Sequence, residues 1–172
     1  NDGNGTLISL KDESMENALV SGIAFQKDQV KFTLHSVGDT PGTAFKILGP
    51  ISDAEIEVDV IVQNVSIDDK TDFTFTVSNE DKESVEKILT DLKTEVDYKE
   101  VIINSDIAKV SLVGAGMRSQ AGVASKAFKA LSENNVNIQI ICTSEIKITM
   151  VIDEALVDKA VNVLHEEFEL EK

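Results

Sequence analysis

The sequence predicts an α+β fold made of two copies of a βαββαβ module. Three observations carry this: a long internal repeat, the same strand and helix periodicities in both copies, and one apolar stretch left over outside them. The first copy starts at Val30 (VKFTLHSVGDTPGTAFKILGPISDAEIEVDVIVQN) and the second at Val110 (VSLVGAGMRSQAGVASKAFKALSENNVNIQIICTS). An offset of 80 residues pairs Gly42 with Gly122, Ala44 with Ala124, Lys46 with Lys126, Ser52 with Ser132, Val58 with Ile138 and Ile61 with Ile141. After Asn64 and Ser144 the offset falls to 75, and Phe73, Phe75 and Val77 match Ile148, Met150 and Ile152.

The elements of the first copy follow from their periods. Residues 30–37 alternate apolar and polar as a half-buried strand does, and 43–53 place Ala44, Ile47, Leu48 and Ile51 at helical spacing. Residues 58–65 are β-branched, and 71–78 alternate strictly, with Phe73, Phe75 and Val77 on one face. The Asp-rich turn Ile67-Asp68-Asp69-Lys70 joins them as a hairpin. Residues 80–92 carry Val85, Ile88, Leu89 and Leu92 on one helical stripe, and 100–104 close the module as a strand.

The second copy supplies strand 109–114, helix 123–134, strands 137–142 and 146–152 around a tight turn at Ser144-Glu145, and helix 154–168. One strand is missing, and the orphan stretch 18–25 is expected to complete that sheet. The first module, 30–104, is then inserted within the second, 17–29 plus 105–172, with 1–16 as a linker. Cutting near Ser105 should not separate them. One apolar stripe per helix and one apolar face per strand predict antiparallel sheets with both helices on one face.

A length of 172 residues with 42% apolar content supports a real core, while a net charge of −15 repels phosphate backbones and anionic membranes. No nucleic-acid or membrane partner is expected. No apolar run reaches the ~20 residues of a membrane span, and the opening Asn1-Asp2-Gly3-Asn4-Gly5 has no signal pattern, so a cytoplasmic location is expected. The non-Met start suggests a piece of a longer protein. Cys142 is read as a buried, inert thiol, and the Met and Phe residues as core. Gly114-Ala115-Gly116 lacks the third glycine of a dinucleotide loop, and His35 and His165 have no Cys or acidic cluster at metal spacing. Glu166-Glu167 and Asp68-Asp69 are read as surface or turn.

In both copies the matched glycine ends the turn from first strand to first helix. A glycine there lets backbone approach a guest, and unpaired N–H groups of the first helical turn favour a carboxylate. Asp39 could hold an ammonium, and Gln63 or Asn64 could read a side chain. The alternative is that Asp39 is a turn residue and Gly42 only a tight turn.

Several motifs in order resemble one family. Ser21-Gly22-Ile23-Ala24, Asp39-Thr40-Pro41-Gly42, Ile61-Val62-Gln63-Asn64-Val65, Thr71-Asp72-Phe73-Thr74-Phe75-Thr76, Lys109-Val110-Ser111-Leu112-Val113-Gly114-Ala115-Gly116-Met117 and Thr143-Ser144-Glu145-Ile146-Lys147 resemble the tandem, ferredoxin-like ACT domains of monofunctional aspartate kinases. The resemblance runs from about Leu19 to Leu170. It implies an amino-acid-binding regulatory region for feedback inhibition of ATP-dependent L-aspartate phosphorylation, with no catalytic residue and no cofactor in this chain. ATP and magnesium would belong to an absent kinase domain, from which the region is excised or to which it binds as a separate subunit. The resemblance implies a threonine-type effector site at Asp39, Gly42, Thr43, Ala44 and Gln63, completed by Asn137 and Ile138 of a partner. It implies a lysine-type site at Met117, Gln120, Val123, Ala124, Ser144 and Glu145. The second loop, Ser119-Gln120-Ala121-Gly122, departs from the Asp-x-Pro-Gly pattern. Edge-to-edge pairing of the domains in a homodimer is implied as well; an assembly domain with empty sites is the alternative.

Overall fold

The computed structural model describes residues 20–64, 68–115 and 122–170. In chain order these form β1 (Gly22–Gly38), α1 (Thr43–Asp53), β2 (Ile61–Gln63), β3 (Lys70–Ser78), α2 (Lys82–Leu92), β4 (Glu100–Val113), α3 (Val123–Glu133), β5 (Ile138–Thr143), β6 (Lys147–Asp153) and α4 (Val157–Glu167). Single 3₁₀ turns, Asn79–Asp81 and Glu154–Leu156, lead into α2 and α4. The strands make one antiparallel sheet in the order β2-β3-β1-β4-β6-β5.

The α+β expectation holds, with one change in how the strands are cut. The stretch expected to complete the second sheet and the first strand of the first copy are one continuous β1, and the strands expected at 100–104 and 109–114 are one β4. Gly22 to Gln26 of β1 pair with Val113 to Lys109 of β4, and Lys31 to His35 pair with Asn104 to Glu100. The ladder slips on both sides of Gln29, beside Asp28 at φ 56°. Buried Gln29 donates to the carbonyls of Lys27 and Asp28, satisfying backbone oxygens at the irregularity. The expected linker 1–16 and the first residues of the 17–29 segment, 17–19, lie outside the described residues.

Each half buries one core. In the first, Phe32, Leu34, Phe73 and Phe75 from the sheet meet Ile47 and Ile51 of α1 and Val85, Leu89 and Leu92 of α2. Phe32 and Phe75 stack at 5.5 Å. In the second, Val20, Val110, Leu112, Ile148, Met150 and Ile152 meet Val123, Ala127 and Leu131 of α3 and Val157, Ala160 and Leu164 of α4. A third cluster, Val60, Ile107 and Val151 with Val62, Ile140 and Cys142, brings β2 and β5 together although they are the two ends of the hydrogen-bonded order. The sheet therefore bends about its long central strands, and part of one helix-free face packs on the other.

That bend accounts for the first of several departures. The strand expected at 58–65 is short because Asp59 and Val60 donate to the Thr76 carbonyl and hydroxyl at 3.2 and 3.1 Å. This covers Thr76, which strict alternation would leave open. Ala44 is exposed rather than on the buried stripe. Phe45 is 79% exposed, its position being about 200° around the helix from Ile47, and Phe25 is 53% exposed, so neither is core. In the hairpin, Asp68 and Asp69 turn at φ 51° and 58°; Ile67 lies outside the described residues. No described helix is long and apolar enough to cross a membrane.

Candidate functional site

The repeat's matched glycines share one backbone state. Gly42 at φ 93° and Gly122 at φ 102° are the N-caps of α1 and α3, and neither cap makes a side-chain hydrogen bond. A Cβ built on either meets no heavy atom within 4 Å, so left-handed backbone rather than crowding requires glycine. By helix geometry the leading N–H groups of both helices have no acceptor within the helix.

Around Gly42 the loop is tied down internally. The Thr43 hydroxyl donates to the Gly38 carbonyl at 2.9 Å and lies 3.1 Å from that of Thr40, while Thr43 N–H reaches the Thr40 carbonyl. Thr43 is buried, so its side chain holds the loop and leaves exposed Ala44 facing solvent. Asp39 N–H donates to the Asp69 carbonyl at 2.9 Å, fixing the loop to the β2–β3 hairpin. Its carboxylate accepts from Gln63 Nε2 at 3.3 Å. Of the two residues proposed to read a side chain, Gln63 is at Asp39, whereas Asn64 lines a separate cavity with His35, Lys70 and Asp72. Asp39, Gly42, Thr43, Ala44 and Gln63 are thus gathered at one end of the first half.

Asn137 and Ile138 stand elsewhere, at the start of β5 on the opposite edge of the sheet order, where they line an open cleft with Phe128 and Ser132. In the second half, Val123 is buried in the core and Ala124 packs against it, so Val123 has its backbone to offer a guest. Ser144 closes the β5–β6 turn, its N–H donating to the Lys147 carbonyl at 2.8 Å, and Glu145 is exposed beside it. Met117 and Gln120 lie outside the described residues.

Two polar arrangements were missed by sequence reading. Asp72 accepts from the Ser36 N–H at 2.9 Å and is bonded to His35 Nδ1. The Ser36 bond holds its carboxyl below the ordinary range, burial opposes this, and His35 adds to the lowering. Lys109, whose side chain is 6% exposed, pairs with Asp59 from the other half of the chain. Alternation puts Asp72 and Lys109 on helix-free faces, and that was the available signal. Their partners come from a β1 irregularity at Ser36 (φ 57°) and from the bend, which no local period encodes. Cys142 is half-buried, its thiol pushed up by burial and then by Asp59.

Residues 34–97 and 110–168 each match the ACT domain family. An aspartate kinase of Pseudomonas fluorescens is 55% identical over 171 residues, covering 99% of this chain and 41% of the relative. The chain therefore spans about two fifths of the curated relatives it matches. A chain in the crystal structure of aspartokinase alpha and beta subunits is 44% identical with a TM-score of 0.82, covering 88% of this chain and 99% of that one. The ligand-free regulatory subunit of aspartate kinase from Thermus thermophilus is 32% identical with the same TM-score, covering 87% and 99%. With its two ACT domains, the chain belongs to the regulatory regions of the aspartate kinases.

Proposed function

We propose that this chain senses an end-product amino acid and passes its occupancy to an aspartate kinase domain as feedback inhibition. The observation that carries the reading is the loop before α1. A left-handed glycine opens the helix start to a carboxylate, while the Asp39 carboxylate, held by Gln63, stands at the same loop for an ammonium. Donors for a carboxylate and an acceptor for an ammonium on one loop are the two partners an α-amino acid needs. L-Threonine is the proposed guest there, with Asn137 and Ile138 of a second copy closing the site, and L-lysine is proposed at Ser144–Glu145 with Val123 and Ala124. An effector shifts the kinase only by its difference in affinity between two arrangements, about 1–3 kcal/mol for a typical coupling.

Calorimetry of the purified chain with L-threonine, D-threonine and L-lysine tests this. Saturable binding of L-threonine, absent for the D-isomer and lost in Asp39→Ala, is expected. No heat with either L-amino acid at millimolar concentration would leave assembly as the function. One observation favours that second reading: Ile61 and Ile141, matched in the repeat, are each 47% exposed on the two edge strands. Edges of this kind pair with another copy, and sedimentation of the unliganded chain as a dimer would support it.

A further inference from the structure

On the helix-free face of the second half, Ala24, Ser111 and Thr149 stand side by side on β1, β4 and β6. Three small side chains in a row leave a gap, because the next same-face positions on either side carry the long Lys109 and Lys147. Asp59 reaches over from the first half to complete the wall. The result is a cavity of about 150 Å³ lined by these residues. At roughly 30 Å³ of liquid volume per water it holds about five waters, enough for a molecule the size of acetate or somewhat larger.

The chemistry of the lining is specific. Ser111 Oγ and Thr149 Oγ1 are 2.9 Å apart and both residues are buried. One hydroxyl donates to the other, so the pair has one O–H proton left to give. Lys109 is neutralised by Asp59, whereas Lys147 is exposed and has no acidic partner among the described residues. The cavity therefore carries about one uncompensated positive charge on a chain of net charge −15. Cys142, opposite Thr149 in the register, feels both Asp59 and Lys147, so both charges act across this row.

We propose that this cavity is a site for a small carboxylate, one oxygen accepting from the Lys147 ammonium and the other from the spare hydroxyl proton of Ser111–Thr149. A monoanion with two oxygens matches one cation and one neutral donor; a phosphate dianion leaves a charge unmatched. The repeat supplies a contrast within the molecule. At the matched positions the first half has Lys31 for Ser111 and Asp72 for Lys147, and Lys31 Nζ spans to Gln139 Oε1 at 2.6 Å. The gap is filled there and the free cation is replaced by an anion.

The test is amide NMR of the ¹⁵N-labelled chain titrated with sodium acetate against sodium chloride at equal ionic strength. Saturable shifts centred on Ser111, Thr149 and Lys147 are expected with acetate alone. Lys147→Met should weaken binding at least tenfold, and Lys147→Arg should retain it; both change an exposed side chain, so folding is preserved. Asp39→Ala should leave acetate binding intact, which separates this site from the threonine reading. Equal shifts with chloride, indifference to Lys147→Met, or tighter binding of inorganic phosphate at pH 8 would each overturn the proposal.

Discussion

The two halves of the chain hold the same topology with different fillings. In the first, bulk comes from the sheet and the loop after α2: Phe32, Phe73, Phe75 and Tyr98 are buried, and the Tyr98 hydroxyl donates to the Leu89 carbonyl. In the second, the sheet residues of the apolar core are aliphatic or Met, and the helices present Ala127, Ala130 and Ala160, so α3 and α4 pack directly on each other. With less bulk on both sheet and helices, the second half builds its core from smaller side chains than the first. The backbone plan is thus set by periodicity and the paired glycines, while filling varies within it.

The sharpest way to break this comparison is to remove bulk from matched positions. Phe32→Ala should cost about 3–5 kcal/mol, and Leu112→Ala, its partner in the repeat, about 2–5 kcal/mol. Urea unfolding should still show one transition in each variant, because β1 and β4 are continuous through both halves. Two separable transitions would mean the halves are independent units joined by a hinge.

Next in size is the contact between the halves. Asp59→Ala leaves the buried Lys109 ammonium without its ion-pair partner, a loss of about 3 kcal/mol, at the lower end because Asp59 itself is 46% exposed. Lys109→Met removes the charge and keeps the volume, so it should be much milder, and the double variant should resemble Lys109→Met alone. Denaturation of the three variants as a cycle checks this. Equal, additive losses would show that the pair is not coupled.

What the sequence made legible, and what it did not, divides along the same line. Helix α1 falls at residues 43–53 as read, and β3 and α3 fall within a residue of their expected bounds, because each is a local periodicity bounded by a glycine or a turn. In the Asp39, Gly42 and Gln63 grouping, Gly42 was legible from the repeat, and Asp39 and Gln63 from the loop motif, the neighbouring strand end and the family resemblance. The merging of strands into β1 and β4 was not: Gln26 to Gln29 and Asn104 to Asp106 look like breaks, and continuity depends on their pairing across the sheet. Nor was the third cluster, since Val60 and Val151 meet only when the sheet bends.

The glycines should give a smaller and matched effect. Gly42→Ala and Gly122→Ala each force a side chain into left-handed backbone with no clash to add, so each should cost about 1–2 kcal/mol. Thermal or urea unfolding would show similar losses. A much larger loss at Gly42 would mean that the Thr40–Thr43 ties make that loop less able to relax than its counterpart.

The smallest expected effect concerns matched positions of opposite charge, Asp72 and Lys147. The folded Asp72 carboxyl titrates below its ordinary value, chiefly through the Ser36 N–H. A carboxyl lowered on folding binds fewer protons than in the unfolded chain, so its stabilisation is complete above the ordinary aspartate value of about 4 and fades as pH falls towards the folded value. Asp72→Asn should therefore flatten the acid loss of stability in that window while leaving neutral-pH binding in the second half alone. The amide accepts through its carbonyl but cannot bear the charge that Ser36 and His35 favour, so the variant should be less stable at pH 7 and converge on the parent in acid. Unfolding measured from pH 7 to pH 2, together with the carboxyl ¹³C shift of Asp72, checks both statements. Parallel pH curves for variant and parent would place the acid sensitivity elsewhere among the carboxylates. Lys147→Met removes a cation and leaves Asp72 with Ser36 and His35 untouched, so it should keep the parent's slope, and the acid response would then distinguish the two helix-free faces of one repeated fold.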